Sequence, residues 1–201
     1  MSSVVIGLTG PTGAGKSTAR EAAQKHGFFV IDADKVARDV TTKGSALLPL
    51  LEAQFNGVVI DGTLDRKELA KKAFSSAENT KKLNAITHPY IVNEISGIIE
   101  KAEKAGAKHI LLDAPTLFEA GADKLCKKTI GVLADQEIRL KRIIERDNIS
   151  VSDASLRLSA GKPDEFYKEN CDIVLYNNSS CDAFLTECEK IFKNIVGNGD
   201  I

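Results

Sequence analysis

Eight consecutive residues, Gly10-Pro11-Thr12-Gly13-Ala14-Gly15-Lys16-Ser17, fit the pattern G-x-x-x-x-G-K-[ST]. Glycines let a backbone wrap closely around a phosphate because no Cβ stands in the way. The amides of Gly13, Ala14 and Gly15, with the start of a following helix, then point partial positive charge at the anion. Lys16 adds a full charge near the β- and γ-phosphates. The Ser17 hydroxyl is suited to Mg²⁺, and Thr18 to a further phosphate contact. The motif predicts nucleotide binding; it does not by itself specify phosphoryl transfer.

Transfer needs a group beside the γ-phosphate that takes a proton from an acceptor hydroxyl, and two acidic sites offer one. Asp32-Ala33-Asp34 follows one β-rich run and Asp113 closes another. Asp34 is assigned as the base, Asp113 as a metal ligand acting through water, and Asp32 as a turn cap or support for its neighbour. A developing charge on the phosphoryl group calls for guanidinium. Arg139, Arg142 and Arg146 recur at helical spacing and share one side of a helix over 135–147. Arg146 lies at its far end and is the first choice for the phosphates. Arg142 is the second, and Arg139 is expected on the surface. His88, before Pro89, is a candidate on the acceptor side, where the pair is expected to open a helix.

These residues need a scaffold that brings them to one edge. Val4–Thr9, Phe28–Ile31, His109–Leu112, Thr129–Leu133 and Ile173–Tyr176 read as buried strands separated by helix-prone stretches. That alternation predicts an α/β fold: three layers, αβα, around a parallel sheet whose strand ends carry the ligands. Residues 1–34 and 107–201 form the expected nucleotide-binding core, with a lid at about 150–170. Residues 35–106 form an expected helical, substrate-binding insertion. Within it, Asp65-Arg66-Lys67-Glu68 has the form of a capping box. Phe184, Cys188, Ile191, Phe192 and Ile195 form one stripe of a final helix, as core packing requires.

The chain has 201 residues, 43% hydrophobic and 27% charged, as a folded domain requires; aromatics are 5% and Trp is absent, so aliphatics must fill the core. A formal net charge of −1 argues against a general grip on nucleic acid or an anionic membrane. No apolar run is long enough to span a bilayer, and MSSVVIGLTG has no signal-like block. Cys126, Cys171, Cys181 and Cys188 match neither a zinc site nor a redox pair, so they are expected as reduced thiols in a cytoplasmic protein.

The chain resembles the dephospho-coenzyme A kinase family over nearly its whole length. The resemblance rests on Gly7-Leu8-Thr9-Gly10 with Gly15-Lys16-Ser17-Thr18, and on Val30-Ile31-Asp32-Ala33-Asp34 with Ala37-Arg38. It continues through His88-Pro89, Asp113-Ala114-Pro115 with Leu117-Phe118-Glu119, Arg142 with Arg146-Asp147, and Asp172-Ile173-Val174 with Asn177. It implies transfer of the ATP γ-phosphoryl group to the ribose 3′-hydroxyl of dephospho-coenzyme A, the last step of coenzyme A synthesis. Gly13 to Thr18 then bind ATP, Asp34 is the base, Arg146 serves the phosphates, Thr9 orients the reacting groups and Asn177 lies near adenine. The chain departs from the family where Pro11 and Thr116 stand. Near Gly161 the family's lid usually has a glutamine followed by arginines, a charge Lys162 and Lys168 can replace. Other readings are a nucleoside- or shikimate-type kinase and a binding protein without catalysis; a GTPase switch normally carries N-K-x-D, which this chain does not.

Overall fold

The computed structural model describes residues 3–198. Five strands form one parallel sheet: β1 (Val4–Thr9), β2 (Phe29–Asp32), β5 (His109–Asp113), β6 (Lys128–Leu133) and β7 (Ile173–Tyr176), in the order β2-β5-β1-β6-β7. The expected α/β architecture is present, with all five runs within one or two residues of their expected bounds. Side-chain alternation splits each strand between two faces. Ile6 and Leu8 of β1 pack with Leu111, Ile130 and Val132 beneath α1 (Lys16–Lys25) and α9 (Cys181–Asn198), which contribute Ala19, Ala22, Phe184, Cys188, Phe192 and Ile195. Val5, Ile110 and Leu112 face the other way.

That second face is covered by α2 (Ala33–Asp39) and by the latter half of α5 (Ala77–Lys104), through Val36, Ile95, Ile99 and Ala102. α5 is therefore shared: its second half is a layer of the sheet core, while Leu83 and Ile86 of its first half pack on a separate apolar cluster. The cluster joins α3 (Leu47–Phe55), α4 (Arg66–Ala73) and a two-stranded hairpin, β3 (Val59–Ile60) with β4 (Thr63–Leu64). The hairpin is an addition to the expected, mostly helical insertion. Glu52 at the end of α3 fixes it by accepting the amides of Gly57, Val58 and Val59 at 2.6, 2.9 and 2.7 Å. Asp65 caps α4, accepting from the amides of Lys67 and Glu68, but the return bond of the expected capping box is not made: the Asp65 amide donates to the Val58 carbonyl at 2.8 Å and Glu68 pairs with Lys72.

Pro89 does not open a helix; it lies inside the 28-residue α5. A proline there removes one backbone hydrogen bond and crowds the preceding turn, at about 3 kcal/mol. The helix persists because its two halves bury apolar side chains in two different clusters. After β6 come α6 (Gln136–Asp147), α7 (Val151–Ser159) and α8 (Asp164–Asn170). The described residues contain four free cysteines, none disulfide-bonded.

Candidate active site

The loop from Gly10 to Gly15 leaves the carboxyl end of β1, the central strand of the sheet. Its shape needs glycine at both ends. Gly10 has φ 144°, and a Cβ there would stand 2.2 Å from the Val132 carbonyl of β6. Gly15, at φ 100°, is the N-cap of α1 and carries no side-chain cap. No side chain therefore closes the Lys16 and Ser17 amides, which are left for an anion, while the Thr18 amide donates to the Gly15 carbonyl at 3.1 Å.

From beneath, the loop is braced by two side chains. Asn177, buried at the end of β7, donates from Nδ2 to the Ala14 carbonyl at 2.9 Å. Arg142 donates to the carbonyls of Gly13 and Ala14, and to the Asn177 carbonyl and Oδ1. Asn177 and Arg142 therefore meet on the loop's carbonyls; Arg142 also borders the cavity, whereas Asn177 does not.

That cavity, about 480 Å³, is bordered by the loop, Lys16, Ser17, Asp32, Asp34 and Asp113, together with Arg20, Arg142 and Arg146. The fold thus gathers Lys16, Ser17, Asp34, Asp113, Arg142 and Arg146. Ala14 and Thr18 do not border it: Ala14 is buried under the loop, and Thr18 lies further into α1. Thr9 differs from expectation. Its fully buried hydroxyl donates to the Pro115 carbonyl at 3.2 Å, so it fixes the loop after β5 and does not face the cavity.

Three carboxylates share this space, and their partners separate them. Asp32 and Asp113 end neighbouring strands in direct register. Side by side in that position they repel, and Arg20 lies between them, with Nη1 3.3 Å from an oxygen of each. Asp32 also caps α2 by accepting from the Lys35 amide at 3.0 Å. Burial pushes the Asp113 carboxyl above the usual range, against the pull of Lys16 and Arg20. Asp34 stands in the first turn of α2, exposed, with no hydrogen bond or ion pair among the described residues. The Lys16 ammonium donates to the Gly10 carbonyl at 2.9 Å. Burial lowers its pKa, and the charges of Asp113 and Asp34 oppose that. Arg20 was missed in the sequence, although it lies one helical turn beyond Lys16 on the same face.

The residues present fit a divalent cation carried by phosphates. Asp113 Oδ1 is buried with no partner, and the Ser17 hydroxyl makes no hydrogen bond among the described residues. No cluster of three or more His, Cys, Asp or Glu suited to a metal occurs among the described residues. Mg²⁺ suits such a place because it needs few protein ligands when phosphates and waters supply the rest.

Elsewhere, the expectations for Arg139 and for Lys162 and Lys168 are corrected, and His88 is located. Arg139 is buried, pairing with Asp164 at the start of α8 at 3.2 Å. Lys162 lies over the Phe166 ring and Lys168 pairs with Glu165, so neither brings charge to the cavity. His88 stands in mid-helix, where its Nδ1 donates to the Glu119 carbonyl at 3.2 Å. It borders a second cavity along α5 with Thr80, Lys81, Asn84 and Glu119, apart from the phosphate loop.

A family model for dephospho-CoA kinase matches residues 4–183. The chain belongs to the dephospho-CoA kinase family. It is 39% identical to a dephospho-CoA kinase of Corynebacterium glutamicum over 95% of this chain and 96% of that one. A second, from Fusobacterium nucleatum, is 37% identical over 97% and 100% of the two chains. Among solved structures, dephospho-CoA kinase from Campylobacter jejuni superposes with a TM-score of 0.70 at 30% identity, covering 95% of this chain and 96% of that one. Membership makes the chain a kinase acting at the last step of coenzyme A synthesis. Among the described residues no helix is long and apolar enough to cross a membrane.

Proposed function

We propose that the chain transfers the γ-phosphoryl group of ATP to the ribose 3′-hydroxyl of dephospho-coenzyme A. The observation that carries the mechanism is the isolation of Asp34: of three carboxylates on the cavity, it alone is uncommitted. The amides of Gly13 to Ser17 and the Lys16 ammonium hold the β- and γ-phosphates. Asp34 accepts the hydrogen of the acceptor hydroxyl and orients its oxygen toward phosphorus. The new O–P bond forms as the bond from phosphorus to the β,γ-bridging oxygen breaks, ADP leaves, and the hydroxyl proton passes to Asp34 late in transfer. Arg146 faces the charge that spreads over the transferring group.

Ser17 and, through water, Asp113 would hold Mg²⁺, which would neutralise phosphate charge. His88, with Lys81 and Asn84 on the second cavity, is assigned to the remainder of the acceptor. The test is ATP consumption with Mg²⁺ against dephospho-coenzyme A, adenosine and shikimate, with the product's phosphate position determined. Turnover with dephospho-coenzyme A giving the 3′-phosphate is expected. Preference for either other acceptor, or phosphate at another oxygen, would overturn the assignment.

A further inference from the structure

Arg146 reaches the cavity from the last turn of α6, with its side chain 60% exposed, and its direction is set by its neighbour in sequence. Arg146 Nε donates to Asp147 Oδ1 at 2.7 Å and Nη2 to Oδ2 at 2.9 Å, a two-point grip that fixes the plane of the guanidinium. The same Oδ2 accepts from Nη1 of Arg157 on α7. One carboxylate therefore holds two guanidiniums, one bordering the phosphate cavity and one on a different helix.

The backbone places Asp147 at the joint of the two helices. Asn148, in the left-handed region at φ 49°, caps α6 and turns the chain. Ser150 then caps α7 through the Asp153 amide at 3.1 Å. α7 rests mainly on α6 and buries only Ala154, while Val151 and Leu156 are exposed. α8, by contrast, is anchored by buried Tyr167, by Asp164 on Arg139 and by Phe166 edge-on to Phe118 at 5.8 Å. The two parts of the expected lid thus differ in their hold on the body, and the loosely held part carries Arg157. Asp147 itself is mostly covered, and the Arg146 guanidinium beside it holds its carboxyl below the usual range.

Resting on the phosphoryl-transfer reading above, we propose that Asp147 is a positioning residue: its carboxylate aims Arg146 over the cavity and ties that aim to α7 through Arg157. The sum of the three charges is +1, so the cluster attracts the phosphoryl group while the acid keeps the two cations from forcing each other apart. Lys162 and Lys168, spent on Phe166 and Glu165, take no part; Arg157 is the residue of the 150–170 segment linked to the phosphate-facing arginine.

The test has two arms. In steady-state kinetics, Asp147→Asn is expected to lower kcat about tenfold with KM for ATP changed less than about twofold. Asp147→Glu should recover part of the loss, and Asp147→Asn should add nothing to Arg146→Ala. Multiplying losses in the double variant, or a loss confined to KM, would overturn the proposal. In the second arm, ¹⁵N NMR of the ligand-free protein follows the Arg146 Nε–H signal. A shift is expected in Arg157→Gln, an exposed change that should leave the fold intact, and recovery in Arg157→Lys. An unmoved signal in Arg157→Gln would overturn the coupling. If the unaltered protein does not phosphorylate dephospho-coenzyme A, the functional reading fails, while the NMR arm still decides the role of Asp147.

Discussion

Asp32, Asp34 and Asp113 border one cavity, and what distinguishes them is the company each keeps. Arg20 holds the first and last, while Asp34 has no ion pair among the described residues and shares long-range charge interactions with Lys16 and Asp113. Asp34→Asn is nearly isosteric, so ATP affinity measured by calorimetry should stay close to that of the unaltered protein. Turnover should fall about a hundredfold, the lower part of the general-base range, because the transition state of phosphoryl transfer is loose. Asp32→Asn should cost less, since Asn still caps α2; equal and severe losses at both positions would show that the pair acts as a unit. Lys16→Ala removes the one ammonium on the phosphate loop and should lower kcat by roughly a hundredfold or more with the fold retained. Near-normal turnover in a folded Lys16→Ala protein, judged by circular dichroism alongside the rate, would remove the loop from the mechanism.

Elements position these groups by closing one another's backbone. Glu52 is the example in the insertion: a single carboxylate takes three amides and so welds α3 to the hairpin. The Gly57 amide leads the amide bonds that hold this carboxyl below the usual range. A depressed carboxyl contributes stability that is present above its unfolded pKa and is lost as pH falls through the folded one. Thermal midpoints of Glu52→Gln should therefore lie below those of the unaltered protein at neutral pH. The gap should close on acidification through the carboxylate range; a gap independent of pH would show that the charge is not what matters. The insertion also explains why Pro89 sits harmlessly within α5, because one missing hydrogen bond is outweighed by apolar faces buried at both ends of a long helix.

At the scale of the molecule, the central sheet holds the phosphate loop because helices close both of its faces. Phe192 of α9 is fully buried and meets the Phe28 ring edge-on at 5.1 Å, joining the last helix to the chain entering β2, whose end carries Asp32. Phe192→Ala should destabilise the protein by about 3–5 kcal/mol, the cost of a large aromatic cavity. Denaturant melts measure that loss, and kcat per folded molecule should be little changed, because no cavity residue is touched. A large kcat defect without a stability loss would mean that α9 acts on the site and not on the core.

The amino-acid sequence by itself determined the phosphate loop, the strand–helix alternation, the acids at the strand ends and the resemblance to the family. Each is a short-range pattern: Gly10 to Ser17 is contiguous, the strands show apolar runs, and Asp32 and Asp113 directly end theirs. The tertiary structure decided which of these groups are free. Arg20 reaches Asp32 over 12 residues and Asp113 over 93, and only the register of β2 beside β5 brings both acids to one guanidinium. Arg139 looked like a surface residue because its ion-pair partner, Asp164, is not adjacent in sequence. Thr9 looked available to substrate until the loop after β5 placed the Pro115 carbonyl against its hydroxyl. Backbone periodicity is written in neighbouring residues, whereas the pairing of a side chain depends on the few ångströms between elements far apart in the chain, a distance that packing of the whole core sets.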